Sequence, residues 1–386
     1  MFAPWLVVLA ALLAPLAPPP ARAAGAPPAF RMEPDTVRAD DTGNWHAALV
    51  IENKADFGLY ADSLTMEWRS DDPDSTPGPR SGLSPLMGLV HVIAPASAGE
   101  TTGMQWTAPA DFERGTIVFH LVTHDGGRNV YRSSARVIVA GNYLYDLFPR
   151  EVLKQGSQSV DVVVMPADTT ARPAPGLLYV PPADVTARGS MRGFVSYRAR
   201  GMTVAIVSLP GMGRSSGRPD RAGPASVAAV DAALARLARD PSVDPKRIAV
   251  WGVSEGATTA LLAAAKHPEL AGIVAQDAAY DPWAAYRALP ADARPAYVRE
   301  AGSDSAGWRA RAPLLVATKV PVPVLVLQTN EKGAPDSSSA AAYAHLRSDQ
   351  QLFIESRIGA QGGKPFMRRD ALRVAQDFLN RRLRQP

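Results

Sequence analysis

Ile248-Ala249-Val250-Trp251 runs straight into Gly252-Val253-Ser254-Glu255-Gly256, and a helix-forming run of small residues, 255–266, follows. Four consecutive apolar residues suit a strand covered on both faces. A strand that turns directly into a helix strains the residue at its apex and projects that side chain above the sheet. Glycines on either side let neighbouring backbone come close. Ser254 is the residue expected at this apex, at a helix N-terminus where the Glu255 amide can donate to a developing oxyanion. A bare Gly-x-Ser-x-Gly arises by chance. The strand before it and the helix after it give it weight.

Outward from this turn, apolar runs alternate with helical segments. Strands are predicted at 159–165, 176–180, 203–208, 247–251, 270–275, 322–327 and 352–358. Helices are predicted at 190–200, 255–266 and 370–383, with another on the three-and-four spacing of Val227, Val230, Leu234 and Leu237. Such alternation predicts an α/β domain over 150–386 with a doubly wound, mostly parallel sheet. Upstream, 30–142 reads differently. Ala47, Leu49 and Ile51 fall on one face of 45–52, and 64–68 and 116–123 alternate in the same way. Asp125-Gly126-Gly127-Arg128 then turns the chain back into 131–139. Short alternating strands between turns predict an N-terminal β-sandwich, immunoglobulin-like domain.

Val243-Asp244-Pro245-Lys246-Arg247-Ile248 leading into the turn resembles the dienelactone-hydrolase and prolyl-oligopeptidase-like branches of the α/β-hydrolase superfamily. So do Leu209-Pro210-Gly211-Met212-Gly213-Arg214-Ser215, similar to the turn after their fourth strand, and the Ala-Pro segment at 308–323 leading into the 322–327 strand. The resemblance covers about 151 to the C-terminus. It implies a doubly wound sheet and hydrolysis of esters, lactones or peptides by Ser, an acid and His. It places the acid just past the 322–327 strand, four residues before a proline, which gives Glu331, with Asp336 and Asp277 in reserve.

The same resemblance exposes two departures. The base is expected in the loop after 352–358, where this chain has Gln361, and glutamine takes no proton from serine near neutral pH. The second oxyanion donor is expected after 177–180, where Pro181-Pro182-Ala183 stands. Proline has no N–H, so Ala183 is the remaining donor. No histidine is a ready substitute. His267 lies thirteen residues beyond Ser254, His345 is in the helix after the acid loop, and His46, His91, His120 and His124 belong to the β region. The segment 281–312 carries Trp283, Tyr286, Tyr297 and Trp308, which fit either a small cap lining a pocket or helices packed on the sheet.

Composition narrows the remaining classes. A net charge of +4 without a basic run gives no nucleic-acid footprint. With no cysteine, disulfides, thiolate metal sites and a cysteine nucleophile are excluded. No cofactor or metal is called for. Residues 6–16 are apolar apart from one proline, and Ala21-Arg22-Ala23 offers a small-x-small cleavage site, so 1–23 reads as a signal peptide. The expectation is an exported protein, periplasmic or extracellular, without a stable membrane anchor after cleavage. Two functions follow: a serine hydrolase acting on a small ester or peptide through Ser254, or a hydrolase-fold protein that has lost catalysis and binds a ligand.

Overall fold

The computed structural model describes residues 28–39, 44–71, 81–82, 92–93, 100–107, 113–169, 172–329, 337–346, 351–356 and 369–384. The expected signal segment, Glu331, Asp336, Gln361 and His91 lie outside these residues.

Upstream of residue 143 the described chain forms two sheets. One has three strands, Ala29–Glu33, Asn44–Glu52 and Glu100–Thr107. The other is built on Leu59–Ser70, Gly115–His124 and Val130–Asn142. Along Gly115–His124 every second residue is buried, as a strand with one covered face requires. Ile117, Phe119 and Leu121 from that strand share a core with Phe30 and Ile51 of the other sheet. Gly115–His124 and Val130–Asn142 pair as a hairpin, as the Asp-Gly-Gly turn predicts. The Asp125 carboxylate closes this turn, accepting from the Gly127 and Asn129 amides at 2.8 and 2.9 Å.

The second part holds a sheet of eight described strands: β1 (Arg150–Gln155), β2 (Gln158–Met165), β3 (Ala174–Val180), β4 (Thr203–Val207), β5 (Val243–Val253), β6 (Gly272–Gln276), β7 (Val324–Thr329) and β8 (Gln351–Ser356). They run in the order 1-2-4-3-5-6-7-8, antiparallel at β1/β2 and β2/β4 and parallel elsewhere. The helices are α1 (Ala187–Ala199), α2 (Pro224–Ala238), α3 (Glu255–Ala264), α4 (Pro282–Ala288), α5 (Arg294–Ala301), α6 (Ser305–Ala310), the four-residue Pro313–Val316, then Ser337–His345 and Arg369–Arg384.

Residue parity divides the central strands between two cores. Leu178, Ala205, Val250, Ile273 and Val326 point to the face covered by α2 and α3. Their neighbours Leu177, Ile206, Ala249, Val274 and Leu325 point to the face covered by α1 and Arg369–Arg384. Both sets are almost fully buried, which is why these strands read as continuous apolar runs. The strand β1 was not predicted. Its sequence, Arg-Glu-Val-Leu-Lys-Gln, lies at the sheet edge with no residue fully buried, so it carries no apolar run to read. Leu144, Tyr145 and Phe148 join the second core, and Arg188 of α1 reaches back to the Glu113 carboxylate, so the β region is packed on the α/β part.

Candidate active site

Ser254 is the single residue between β5 and α3. Its backbone sits at φ 54°, ψ −120°, a conformation that costs a non-glycine residue roughly 1–3 kcal/mol and persists only where the surroundings enforce it. Its N–H donates to the Gln276 carbonyl at 2.8 Å, and its own carbonyl accepts from the Ala257 and Thr258 amides at 3.0 and 3.1 Å. Sterics complete the enforcement. A Cβ on Gly252 would strike the backbone of Gly256 and Ala257, and one on Gly256 would land on the Val180 and Pro181 carbonyls at the end of β3. Glycine at 252 therefore lets the chain fold back onto the start of α3, and glycine at 256 lets the turn close against the end of β3. The Ser254 side chain is left exposed above the sheet.

Ser254 opens into a cavity of about 660 Å³. Its far wall is the cover formed by α4, α5 and α6. Tyr286, Tyr297 and Trp308 line it as a near-parallel stack, with Trp308 4.9 Å from Tyr286 at 19° and 6.5 Å from Tyr297 at 23°. Trp308 is only 2% exposed and donates its Nε1–H to the Gly302 carbonyl at 2.8 Å. The segment 281–312 thus does both things its sequence allowed: it packs, and it lines a pocket.

Among the described residues three charged side chains face the cavity: Asp277, Glu255 and Arg221. Asp277 directly follows β6, beside the residue that accepts from Ser254, and is itself at φ 53° with its N–H donated to the Leu327 carbonyl at 2.8 Å. Glu255 Oε1 accepts from the Ala222 amide at 3.2 Å, while Oε2 is buried without a hydrogen bond, 3.6 Å from Arg221 Nη1. Burial raises the Glu255 pKa above the usual carboxylate range, and Glu300 and Asp220 push the same way. The Arg221 charge and the Ala222 N–H oppose the shift without cancelling it.

Of the expected site residues, Ser254, Glu255 and the reserve Asp277 meet at one cavity. Glu331, Asp336 and Gln361 lie outside the described residues. Ala183 sits in the turn after β3, two residues past the Pro181 carbonyl that abuts Gly256. Among the described residues no histidine lines the cavity. His267 is beyond the far end of α3, between Asp231 and Glu269 at 3.0 and 2.7 Å, and His120 and His124 face Glu67 and Asp62. No group of three or more Asp, Glu or His among the described residues is placed to hold a metal ion. Arg221 and Ala222 went unread because nothing in Arg-Ala signals a left-handed turn.

Residues 159–291 match the model of the X-Pro dipeptidyl-peptidase (S15) family, about a third of the chain. An acylaminoacyl peptidase in complex with Z-Gly-Gly-Phe-chloromethyl ketone superposes with a TM-score of 0.54 at 13% identity, covering 88% of this chain and 70% of that one. The uncomplexed acylaminoacyl peptidase of Pyrococcus horikoshii gives 0.53 at 12% identity, over 88% and 70%. A 2,6-dihydroxy-pseudo-oxynicotine hydrolase gives 0.50 at 18% identity, over 60% and 67%.

The chain has the α/β-hydrolase fold.

No curated protein matches its sequence. Within this fold, the Ser254 turn has the strand, the strained apex and the helix of the strand-to-helix turn expected from the sequence.

Proposed function

We propose that this α/β-hydrolase is an exported serine hydrolase that cleaves ester or peptide bonds through Ser254. The carrying observation is the elbow: an exposed serine at φ 54°, held by two sterically required glycines, at the mouth of an apolar cavity. In this reading Ser254 Oγ attacks the substrate carbonyl, the C–O or C–N bond breaks and the protonated alcohol or amine departs, and water then hydrolyses the acyl-serine ester to the acid; with Gln361 at the base position, turnover is weak. The oxyanion is received by the Glu255 amide, which as the first residue of α3 has no partner one turn back, and by the Ala183 amide. Glu331 or Asp277 is the acid. The aromatic wall suits the apolar part of an ester or the side chains of a short peptide, and the peptidase similar to this chain carries a peptide-derived ligand. Export rests on residues 1–23, and the exported chain is expected to begin near Ala24 by mass spectrometry. A full-length chain in the membrane fraction would contradict it.

A fluorophosphonate probe tests the nucleophile directly. Wild-type protein should take one label on Ser254, and Ser254→Ala should take none while keeping its far-ultraviolet circular dichroism. Label found on the alanine variant would remove Ser254 from the reaction. A second reading, a ligand-binding protein without catalysis, draws on Gln361 at the base position and on the lack of a cavity histidine among the described residues. General-base help is typically worth ~10²–10⁴-fold in rate. Wild-type protein that resists the probe yet binds an apolar ester would favour that second reading.

A further inference from the structure

We propose that Arg221 is a positioning residue that fastens the α4–α6 cover to the elbow and thereby selects the size of acyl group accepted beside Ser254; this rests on the hydrolase reading. The Arg221 guanidinium joins α5 of the cover to the first residue of α3. It pairs with the Glu300 carboxylate and stacks on the Tyr297 ring at 4.1 Å, both on α5. It also lies 3.6 Å from Glu255 Oε2, one residue from the nucleophile. With two carboxylates already around it, its charge is committed within the protein, so its contribution to a substrate is the shape of the wall.

The turn that carries Arg221 is anchored from both sides. Below, the Asp220 carboxylate accepts from the Gly223 and Ala225 amides at 3.2 and 2.7 Å and so holds the start of α2. Above, Arg311 donates from Nε to the Asp220 carbonyl at 3.1 Å and from Nη1 to the Gly307 carbonyl of α6 at 2.7 Å. Between these anchors Arg221 and Ala222 take φ 51° and 55°. Left-handed backbone is unfavourable for an L-residue, so the turn holds this form because its side-chain ties enforce it. Arg221 and Ala222 form one wall of the cavity, and Tyr297 and Trp308 form another. Ser254 shares the cavity with that cover, so a long acyl chain held there has far more of its length to lay against the wall than an acetyl group has.

Steady-state hydrolysis of p-nitrophenyl acetate and p-nitrophenyl octanoate by the full chain tests this. The variants are Arg221→Ala, Arg221→Lys, Glu300→Ala, which is outside the cavity wall, and the Arg221→Ala/Glu300→Ala double, each first shown by thermal melting to be folded. Losing a charged hydrogen bond in the wall should raise KM for octanoate on the order of tenfold, lowering the octanoate-to-acetate ratio of kcat/KM. Glu300→Ala should move the ratio the same way, the double should add little to Arg221→Ala, and Arg221→Lys should fall between, since it keeps charge and loses the planar stack. Equal shifts for both esters, or additive effects in the double, would overturn the proposal. If wild type hydrolyses neither ester and resists the fluorophosphonate probe, the hydrolase reading has failed separately. Tryptic cleavage after Arg287 and Arg299, in α4 and α5, then decides the fastening: faster cutting in Arg221→Ala and Glu300→Ala supports it, and unchanged cutting refutes it.

Discussion

Two turns border the same cavity and both hold non-glycine residues at positive φ, yet they are held by different physics. At Ser254 the backbone is fixed by sheet hydrogen bonds and by glycines whose missing Cβ atoms let β3 approach. At Arg221–Ala222 the backbone is fixed by side-chain ties: the Asp220 carboxylate below, Arg311 on the Asp220 carbonyl above, and Glu300, Glu255 and Tyr297 around one guanidinium. Steric enforcement is short-ranged and has no adjustable partner. Electrostatic enforcement depends on protonation and on groups that a single substitution removes. The elbow is accordingly the rigid part of this site, and the Arg221 turn the adjustable one.

The sharpest way to break the contrast is at Gly256. A methyl there would meet the Val180 and Pro181 carbonyls, which are backbone and have no rotamer to adopt. Overpacking of this kind typically costs ~1–3 kcal/mol and occasionally more, so Gly256→Ala should lower the free energy of unfolding by an amount near the top of that range, read as a lower denaturant midpoint. Chemical denaturation with an unchanged m-value measures it. Wild-type stability in this variant would mean that β3 does not press on the elbow.

How much of this was legible in the sequence follows the same division. The elbow could be read because its steric demand is met by residue type: glycine at 252 and 256, two residues either side of Ser254. The central strands could be read because burial on both faces needs unbroken apolar runs, as in Val204-Ala205-Ile206-Val207. The edge strand β1 escaped because its exposure leaves it polar. The Arg221 turn escaped because its conformation is imposed by Glu255, Glu300 and Tyr297, 34 to 79 residues further on by their numbers. No local pattern records such contacts. The cover was legible only as aromatic content, since three short helices of six to eight residues carry no long stripe.

A second test lies where the two turns meet. Burial raises the folded-state pKa of Glu255 above its unfolded value. The stability contributed by the protonated form is therefore fully present below the ordinary glutamate range and is lost as pH rises through the folded pKa. Glu255→Gln cannot ionise, so the difference in stability between variant and wild type should shift in the variant's favour as pH rises from 4 to 8. Thermal melting at several pH values reads the slope. A difference that stays constant across that interval would mean the Arg221 charge fully compensates the burial.

The smallest effect is also the most diagnostic, because its sign is reversed from the ordinary. At most positions glycine is worse than alanine by roughly 0.5–1 kcal/mol, since it has more unfolded freedom to lose. At φ 51° alanine carries a left-handed penalty that glycine does not. Arg221→Ala and Arg221→Gly both delete the contacts to Glu300, Glu255 and Tyr297, so subtracting one from the other cancels those contacts and isolates the backbone. Arg221→Gly should then be the more stable of the two by about 1 kcal/mol, measured by urea denaturation of both variants side by side. If the turn instead relaxes to negative φ once the guanidinium is gone, alanine regains its usual advantage and the order inverts. That inversion would mean the strain is created by the ion pairs alone and is released with them.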